Sequence, residues 1–332
     1  MSHSTNQSVS APPASQHAAD TRHGALASTQ SGLTQTDPGH ASELLFTRSL
    51  PTVSLQCDGL TALTEHIQAH TPVLVADLAA AWPALTRWTP ERLSAQHGDK
   101  TVRVYDASFG KPGSGYMGSV DTMPFSRYLD EVLNHGRDLR MFLYNIGRQI
   151  PDLLDDIVFP DVGLRFSKRF VFTFFGCKSA TTPLHYDIDM GHVLHTVIRG
   201  RRRVRLFPPG DSSALYQHPF TVRSYVNLDS PDLSQYPAMA NASGWEVTIE
   251  AGQTLFMPAG YWHEFHYLEA GVGLSLRAPS NRVSDKLAGV GNVLMRSPID
   301  RLANKIAPER WFSWKEKKAC RRGEALLKKR TA

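Results

Sequence analysis

The 332-residue sequence is short of several things, and each shortage removes a class of protein. It contains no apolar run approaching the roughly 18–20 residues that a membrane-crossing helix needs. Its three cysteines, Cys57, Cys177 and Cys320, lie far apart and outside any C-x-x-C or Cys/His spacing. That pattern offers neither a disulfide framework nor a thiolate zinc site, so three reduced, mainly structural thiols are expected. The start of the chain lacks the basic-then-apolar pattern of a secretory signal, and a cytoplasmic setting is the expectation. There is no Gly-rich phosphate loop and no internal repeat. What remains is a chain long enough to bury a sizeable core, as one large domain or two modest ones.

Charge is present but unevenly placed. The net charge is +5, yet residues 315–332 carry eight Lys or Arg against Glu316 and Glu324, leaving the rest of the chain near −1. A basic C-terminal helix is expected from this. A solvated face or a self-association element is favoured for it over contact with nucleic acid or an anionic surface. At the other end, residues 1–42 are rich in Ser, Thr, Gln, Ala and His and nearly free of large apolar residues. Such a segment has too little to bury to offset its ordering entropy, so it is read as low-complexity and disordered.

Between these ends the texture changes twice. "LTALTEHIQAH" has helical apolar spacing and "TPVLVADL" reads as a buried strand. In "WTPERLSAQHG", Thr89 is placed as the N-cap, Pro90 at the first helical position and Gly98 as the stop. "TVRVYDA" and "RMFLYNI" read as strands, and "TMPFSRYLDEVLN" as a helix. From about residue 169 short strands succeed one another: "RFVFTFFG", "HVLHTVIRG", "RRVRLFPP", "WEVTIEAG", "QTLFMPAG", "HEFHYLE" and "VGLSLRA". Gly- and Pro-containing turns punctuate them, which suggests an antiparallel sandwich or barrel. After residue 280 the spacing is helical again.

The chemistry concentrates in "TTPLHYDIDMGHVLHT", residues 181–196. Along a strand, residues two apart share a face, so His185 and Asp187 present an imidazole and a carboxylate side by side. A third ligand must come from elsewhere, and His263 or His266 of "YWHEFHY" are the candidates, His263 favoured because the turn before it delivers it at a strand start. Two His and one carboxylate leave coordination positions open, as in non-haem Fe(II) oxygenases. Asp189 is set aside, since a second carboxylate adds repulsion. His192 and His195 are left as pocket or strand residues.

The ordered set "TPLHYD", "GRRRVRLFPP", "LYQHPF", "LDSPDLSQYP" and "AGQTLFMPAGYWHEF" resembles the cupin-like JmjC-type 2-oxoglutarate/Fe(II) oxygenases, in particular the asparaginyl hydroxylase that modifies hypoxia-inducible factor. The resemblance implies a mostly β fold with flanking helices: a double-stranded β-helix, or jelly roll, over residues 43–280, with a helical, basic extension over 281–332. It implies Fe(II) held by His185, Asp187 and His263, with 2-oxoglutarate and O2 as cosubstrates and hydroxylation as the outcome. The family's cosubstrate-binding Lys falls on Arg202. Strand parity puts Arg202 on the inward face with Val204 and Leu206, where a buried cation needs an anion. Thr182 matches a family Thr that reaches the same carboxylate. Arg277, on the last strand, competes with Arg202 for the role, and Tyr144 stands near the family's cosubstrate phenol, although a direct alignment sets Phe142 there. The primary substrate, a protein side chain or a small molecule, is not named by the sequence. A homodimer through the C-terminal helices, anchored by Trp311, Phe312 and Trp314, is the expected assembly. A non-catalytic metal-binding module and a different metal-dependent cupin enzyme are the other readings weighed.

Overall fold

The computed structural model describes residues 43–109 and 118–331. The expectation for residues 1–42 lies outside them. The strands are β1 (Thr52–Val53), β2 (Val73–Val75), β3 (Thr101–Val104), β4 (Asp121–Pro124), β5 (Arg140–Asn145), β6 (Val171–Gly176) and β7 (Thr181–His185). They continue with β8 (Gly191–Arg199), β9 (Arg202–Phe207), β10 (Trp245–Ile249), β11 (Thr254–Met257), β12 (Trp262–Tyr267) and β13 (Gly271–Pro279). Two sheets carry the fold. The larger has the order β1-β2-β11-β8-β13-β6-β5 and the smaller β10-β9-β12-β7, while β3 and β4 form a separate ribbon. Pairing is antiparallel except between β1 and β2. Alternation of consecutive strands between two sheets is the jelly-roll arrangement that the motif order implied.

Side-chain parity explains why the sheets close on each other. Val193 and Val197 of β8 and Leu255 and Met257 of β11 pack with Val204 and Leu206 of β9 and Phe265 of β12 in one shared core. The opposite face of the larger sheet, through Leu194, Ile198 and Phe256, is covered by the N-terminal helices, through Leu63, Ile67, Phe125 and Tyr128. The opposite face of the smaller sheet is covered by the 211–244 segment and the last helix, through Phe207, Trp262, Leu215, Tyr216 and Ala319. Strand β8 is therefore buried on both sides over eight consecutive residues, which is why its sequence, GHVLHTVI, lacks the regular apolar–polar alternation of a half-exposed strand.

Local rules hold at the helix Pro90–His97. Thr89 caps the helix Pro90–His97 by accepting from Arg92 N at 3.2 Å, with Pro90 at the first position. Gly98 follows that helix where a side chain has no room, since a Cβ there would lie 2.2 Å from Ser94 O and 2.8 Å from Ser126 Cβ. One expectation is corrected: "TMP" of "TMPFSRYLDEVLN" belongs to β4, and the helix runs only over Phe125–Leu133. Pro124 provides the break, because the residue before a proline is pushed out of the helical region.

The C-terminal region consists of Val283–Gly291, a π turn over Asn292–Arg296, Ser297–Ile306 and Pro308–Thr331. It is tied to the β body. Gly289 lies so close to the 186–190 turn that an added Cβ would meet Asp189 O at 2.4 Å, and Asn292 Nδ2 donates to Ile188 O at 3.2 Å. Among the described residues no helix is long and apolar enough to cross a membrane.

Candidate metal centre and its pocket

Strands β7 and β12 pair so that His185 stands opposite His263. The register slips by one residue between this pair and the next, Phe265 opposite Thr182, beside Pro183, which the edge strand β7 tolerates because proline has no ladder N–H to donate. The Pro183 carbonyl then accepts from His185 Nδ1 at 2.8 Å, and Tyr261 O accepts from His263 Nδ1 at 3.0 Å. A carbonyl cannot donate, so both Nδ1 atoms carry the proton and both Nε2 lone pairs are left for a ligand.

The H-x-D pair does not lie along one strand, as strand parity suggested. β7 ends at His185, and Asp187 and Asp189 occupy the turn after it, where Met190 takes φ +53°. The turn nevertheless returns the carboxylate to the imidazoles: ligand-capable atoms of His185, Asp187 and His263 all lie within 4.8 Å of one another. Electrostatics prepares the same set. Burial, and after it the neighbouring His263, holds His185 down to about 3, and burial lowers His263. Burial alone would push the Asp187 carboxyl up, but Arg277 and the two imidazoles outweigh it and hold it at about 2. Two neutral imidazoles and an ionised carboxylate, each oriented by a second partner, fit a divalent cation such as Fe(II). His266 bonds instead to Thr181 Oγ1 at 3.1 Å, outside this cluster.

The cluster opens into a cavity of about 720 Å3. Thr182, His195, Arg202 and Arg277 line it, as do Phe142 and Phe172. Arg202 is 1% exposed and makes no ion pair among the described residues. One of its terminal nitrogens donates to Phe174 O at 2.8 Å and the other to His195 Nε2 at 3.0 Å, while its Nε has no partner. Because His195 Nε2 accepts, its Nδ1 donates to Ser275 Oγ at 2.9 Å. The guanidinium lies 4.1 Å from the Tyr267 ring centroid, and its other face rests on Gly273, where a Cβ would fall 2.3 Å from it. Gly273, Tyr267 and Ser275 carry no motif in the sequence. A glycine and a serine two residues apart on one strand are the only signals that could have marked them.

Arg277, weighed against Arg202 as the cosubstrate ligand, is placed differently. It bonds to Asp187 Oδ1 and, at 2.8 and 2.9 Å, to the two oxygens of Asp189. It is thus already paired with carboxylates and orients one of the candidate metal ligands, and Asp189 is its second anchor. Tyr144 is not brought to this cavity. Leu143 takes φ +53° and the β5–β6 register slips there, which turns Phe142 inward and leaves Tyr144 against Phe125 in a neighbouring cleft. His192 faces away as well, accepting from Ala259 N at 3.1 Å through Nδ1.

Comparison with known proteins agrees with this architecture. The human tRNA wybutosine-synthesizing protein 5 is 29% identical over 248 residues, which cover 68% of this chain and 77% of that protein. The lysine-specific demethylase JMJ30 of Arabidopsis thaliana is 28% identical over 256 residues, covering 70% of this chain and 58% of the relative. Lysine-specific demethylase 8 of Xenopus tropicalis is 25% identical over 231 residues, covering 67% and 51%. Residues 60–284 match the model of the cupin-like domain. With the jelly roll and the His-Asp-His cluster in agreement, the chain belongs to the cupin-like domain family, of JmjC type.

Proposed function

We propose that the protein is an Fe(II)- and 2-oxoglutarate-dependent oxygenase that hydroxylates a protein side chain or a small molecule. The observation that carries this reading is the pairing of two half-sites in one cavity. His185, Asp187 and His263 present three ligand atoms. Arg202, deep in the same cavity, is a buried guanidinium with no acidic partner among the described residues. An unpaired buried cation is costly, and the distal carboxylate of 2-oxoglutarate would complete it through two charge-assisted hydrogen bonds. Thr182 lines the same cavity, and its hydroxyl would be a further donor to that carboxylate.

When bound, Fe(II) with 2-oxoglutarate and O2 supplies the oxidation: one oxygen atom enters the substrate C–H bond and the other appears in succinate, with CO2 released. The chain's own residues bind and orient. His185 and His263 are fixed in rotamer and tautomer by the carbonyls of Pro183 and Tyr261, Arg277 fixes Asp187, and the phenylalanine walls exclude water. No side chain is needed as acid or base.

Two further parts belong to the proposal. A homodimer is assigned to the C-terminal helices, where Val283, Leu287, Val290, Leu294, Leu302 and Ile306 are all more than half exposed. A cytoplasmic setting is assigned from three free cysteines. The central test is succinate release from 2-oxoglutarate by the Fe(II)-loaded protein with ascorbate. Turnover should fall by at least about 100-fold in Asp187→Ala, as expected for loss of a metal ligand. Turnover no higher than that of Asp187→Ala in the wild-type protein rejects the reading.

A further inference from the structure

The charges around the cavity do not balance. Arg165, Arg202, Arg223, Arg277, Arg296 and Arg301 line it against Asp187, Asp189 and Asp300. The acids are already committed. Asp187 and Asp189 hold Arg277, and Asp300 Oδ1 accepts from the buried Lys315 at 2.6 Å and from Trp311 Nε1 at 2.8 Å. Arg202 lies at the deep end. Four guanidiniums are left, on three separate segments of the wall, and none makes an ion pair among the described residues. Arg223 lies 5.1 Å over the Phe109 ring, and Arg296 is steadied by Asn292 Oδ1 at 3.0 Å. Arg165 and Arg301 are exposed.

Four cations without acidic partners around the rim of one cavity raise its positive potential together, an arrangement suited to receiving an anion. One carboxylate would leave most of that charge unmet. A phosphate offers up to two charges and three acceptor oxygens, which guanidinium forks match. The same cavity is lined by phenylalanines, Phe109, Phe142, Phe172 and Phe220 among them, suited to a flat or apolar body.

We propose that the primary substrate carries a phosphate, received by Arg165, Arg223, Arg296 and Arg301, with its apolar or aromatic part directed toward His185 and His263. Oxidation of the bound molecule rests on the oxygenase reading; the binding itself does not. The same chemistry is offered by a phosphorylated small molecule, which lies within the substrates proposed above, and by an RNA strand with an unpaired base, which would replace them; the test separates the two.

The measurement is fluorescence anisotropy of a fluorescein-labelled single-stranded RNA 12-mer on the full-length protein with saturating 2-oxoglutarate, so that the probe does not occupy the Arg202 end. AMP and adenosine serve as competitors. AMP should displace the probe and adenosine should not. In Arg296→Gln/Arg301→Gln, both substitutions at exposed positions, affinity for RNA and AMP should fall at least tenfold, and the salt dependence should lose about two phosphate contacts. Lys328→Gln/Lys329→Gln, in the basic tail and outside the cavity wall, should bind as wild type. RNA binding more than tenfold tighter than AMP identifies a strand as the source, and equal affinities identify a small phosphorylated molecule. The proposal is overturned if neither RNA nor AMP binds, if adenosine or a poly-glutamate peptide competes as well as AMP, if the double arginine variant binds as wild type, or if the tail variant loses binding. Binding as expected without succinate release would reject the oxygenase reading alone.

Discussion

Arg202 is held on every side but one. Phe174 O and His195 Nε2 take its terminal nitrogens, the Tyr267 ring and the bare backbone of Gly273 take its two faces, and Nε is left without a partner. Adding one methyl group to that backbone therefore tests the assignment without touching any charge. Gly273→Ala should push the guanidinium aside and raise the KM for 2-oxoglutarate at least tenfold, with metal affinity unchanged; equal KM values for variant and wild type would contradict a cosubstrate role for Arg202. Arg202→Gln should do the same more severely, since hydrogen bonds to a charged group are worth about 1.5–3 kcal/mol, or roughly tenfold to more than a hundredfold. The inward direction of Arg202 was legible in the sequence, because Val204 and Leu206 fix the parity of β9. The placement of Tyr144 was not. It depends on Leu143 adopting φ +53°, and leucine, unlike glycine or asparagine, gives no sign of a left-handed backbone.

Among the elements, the strands were the most readable part. Each of the seven strand segments expected after residue 169 is found, because turn residues separate them and apolar residues fill them. The turn after β7 was less readable. H-x-D suits a strand, but Pro183 bends β7 and the 186–190 turn carries Asp187 instead. The C-terminal helices also departed from expectation. Trp311, Phe312 and Trp314 were expected to anchor a partner, yet Trp311 bonds to Asp300 and Phe312 packs on His218 and Tyr225, leaving Trp314 as the exposed one of the three. The larger exposed apolar face lies earlier, on Val283–Gly291, the π turn Asn292–Arg296 and Ser297–Ile306. Leu287→Glu/Leu294→Glu should therefore convert a dimer into a monomer in light scattering; an unchanged mass would remove this face as the interface. Within the helix Pro90–His97, Thr89→Ala should cost about 1 kcal/mol in chemical denaturation through loss of the cap bond to Arg92 N.

For the whole molecule, buried neutral histidines set the acid limit. Burial, aided by Lys315 and Arg322, holds His218 down to about 3, and burial with His70 holds His192 down to about 4. Their folded pKa values lie below the unfolded value of 6.5. Unfolded chains therefore take up protons that the fold refuses, and stability, complete above pH 6.5, declines as pH falls toward 3–4. His218 alone should account for roughly 3 kcal/mol of that decline by pH 4. His218→Gln should flatten the fall in melting temperature between pH 6.5 and 4, and a variant as acid-sensitive as the wild type would show that His218 does not set the limit.

Strand β8, covered on both faces, has a consequence for how the protein can vary. A strand with one wet face tolerates change at every second position. Here Gly191 to Ile198 have no such positions: His192 and Leu194 meet the outer layer while Val193, His195 and Val197 meet the inner one. A library of single substitutions across the gene should show β8 as a continuous block of intolerance, against the every-other-residue pattern of Trp245–Ile249 at the sheet edge. Altered specificity is then to be sought in the arginine-bearing loops and helices around the cavity, which leave that block unchanged.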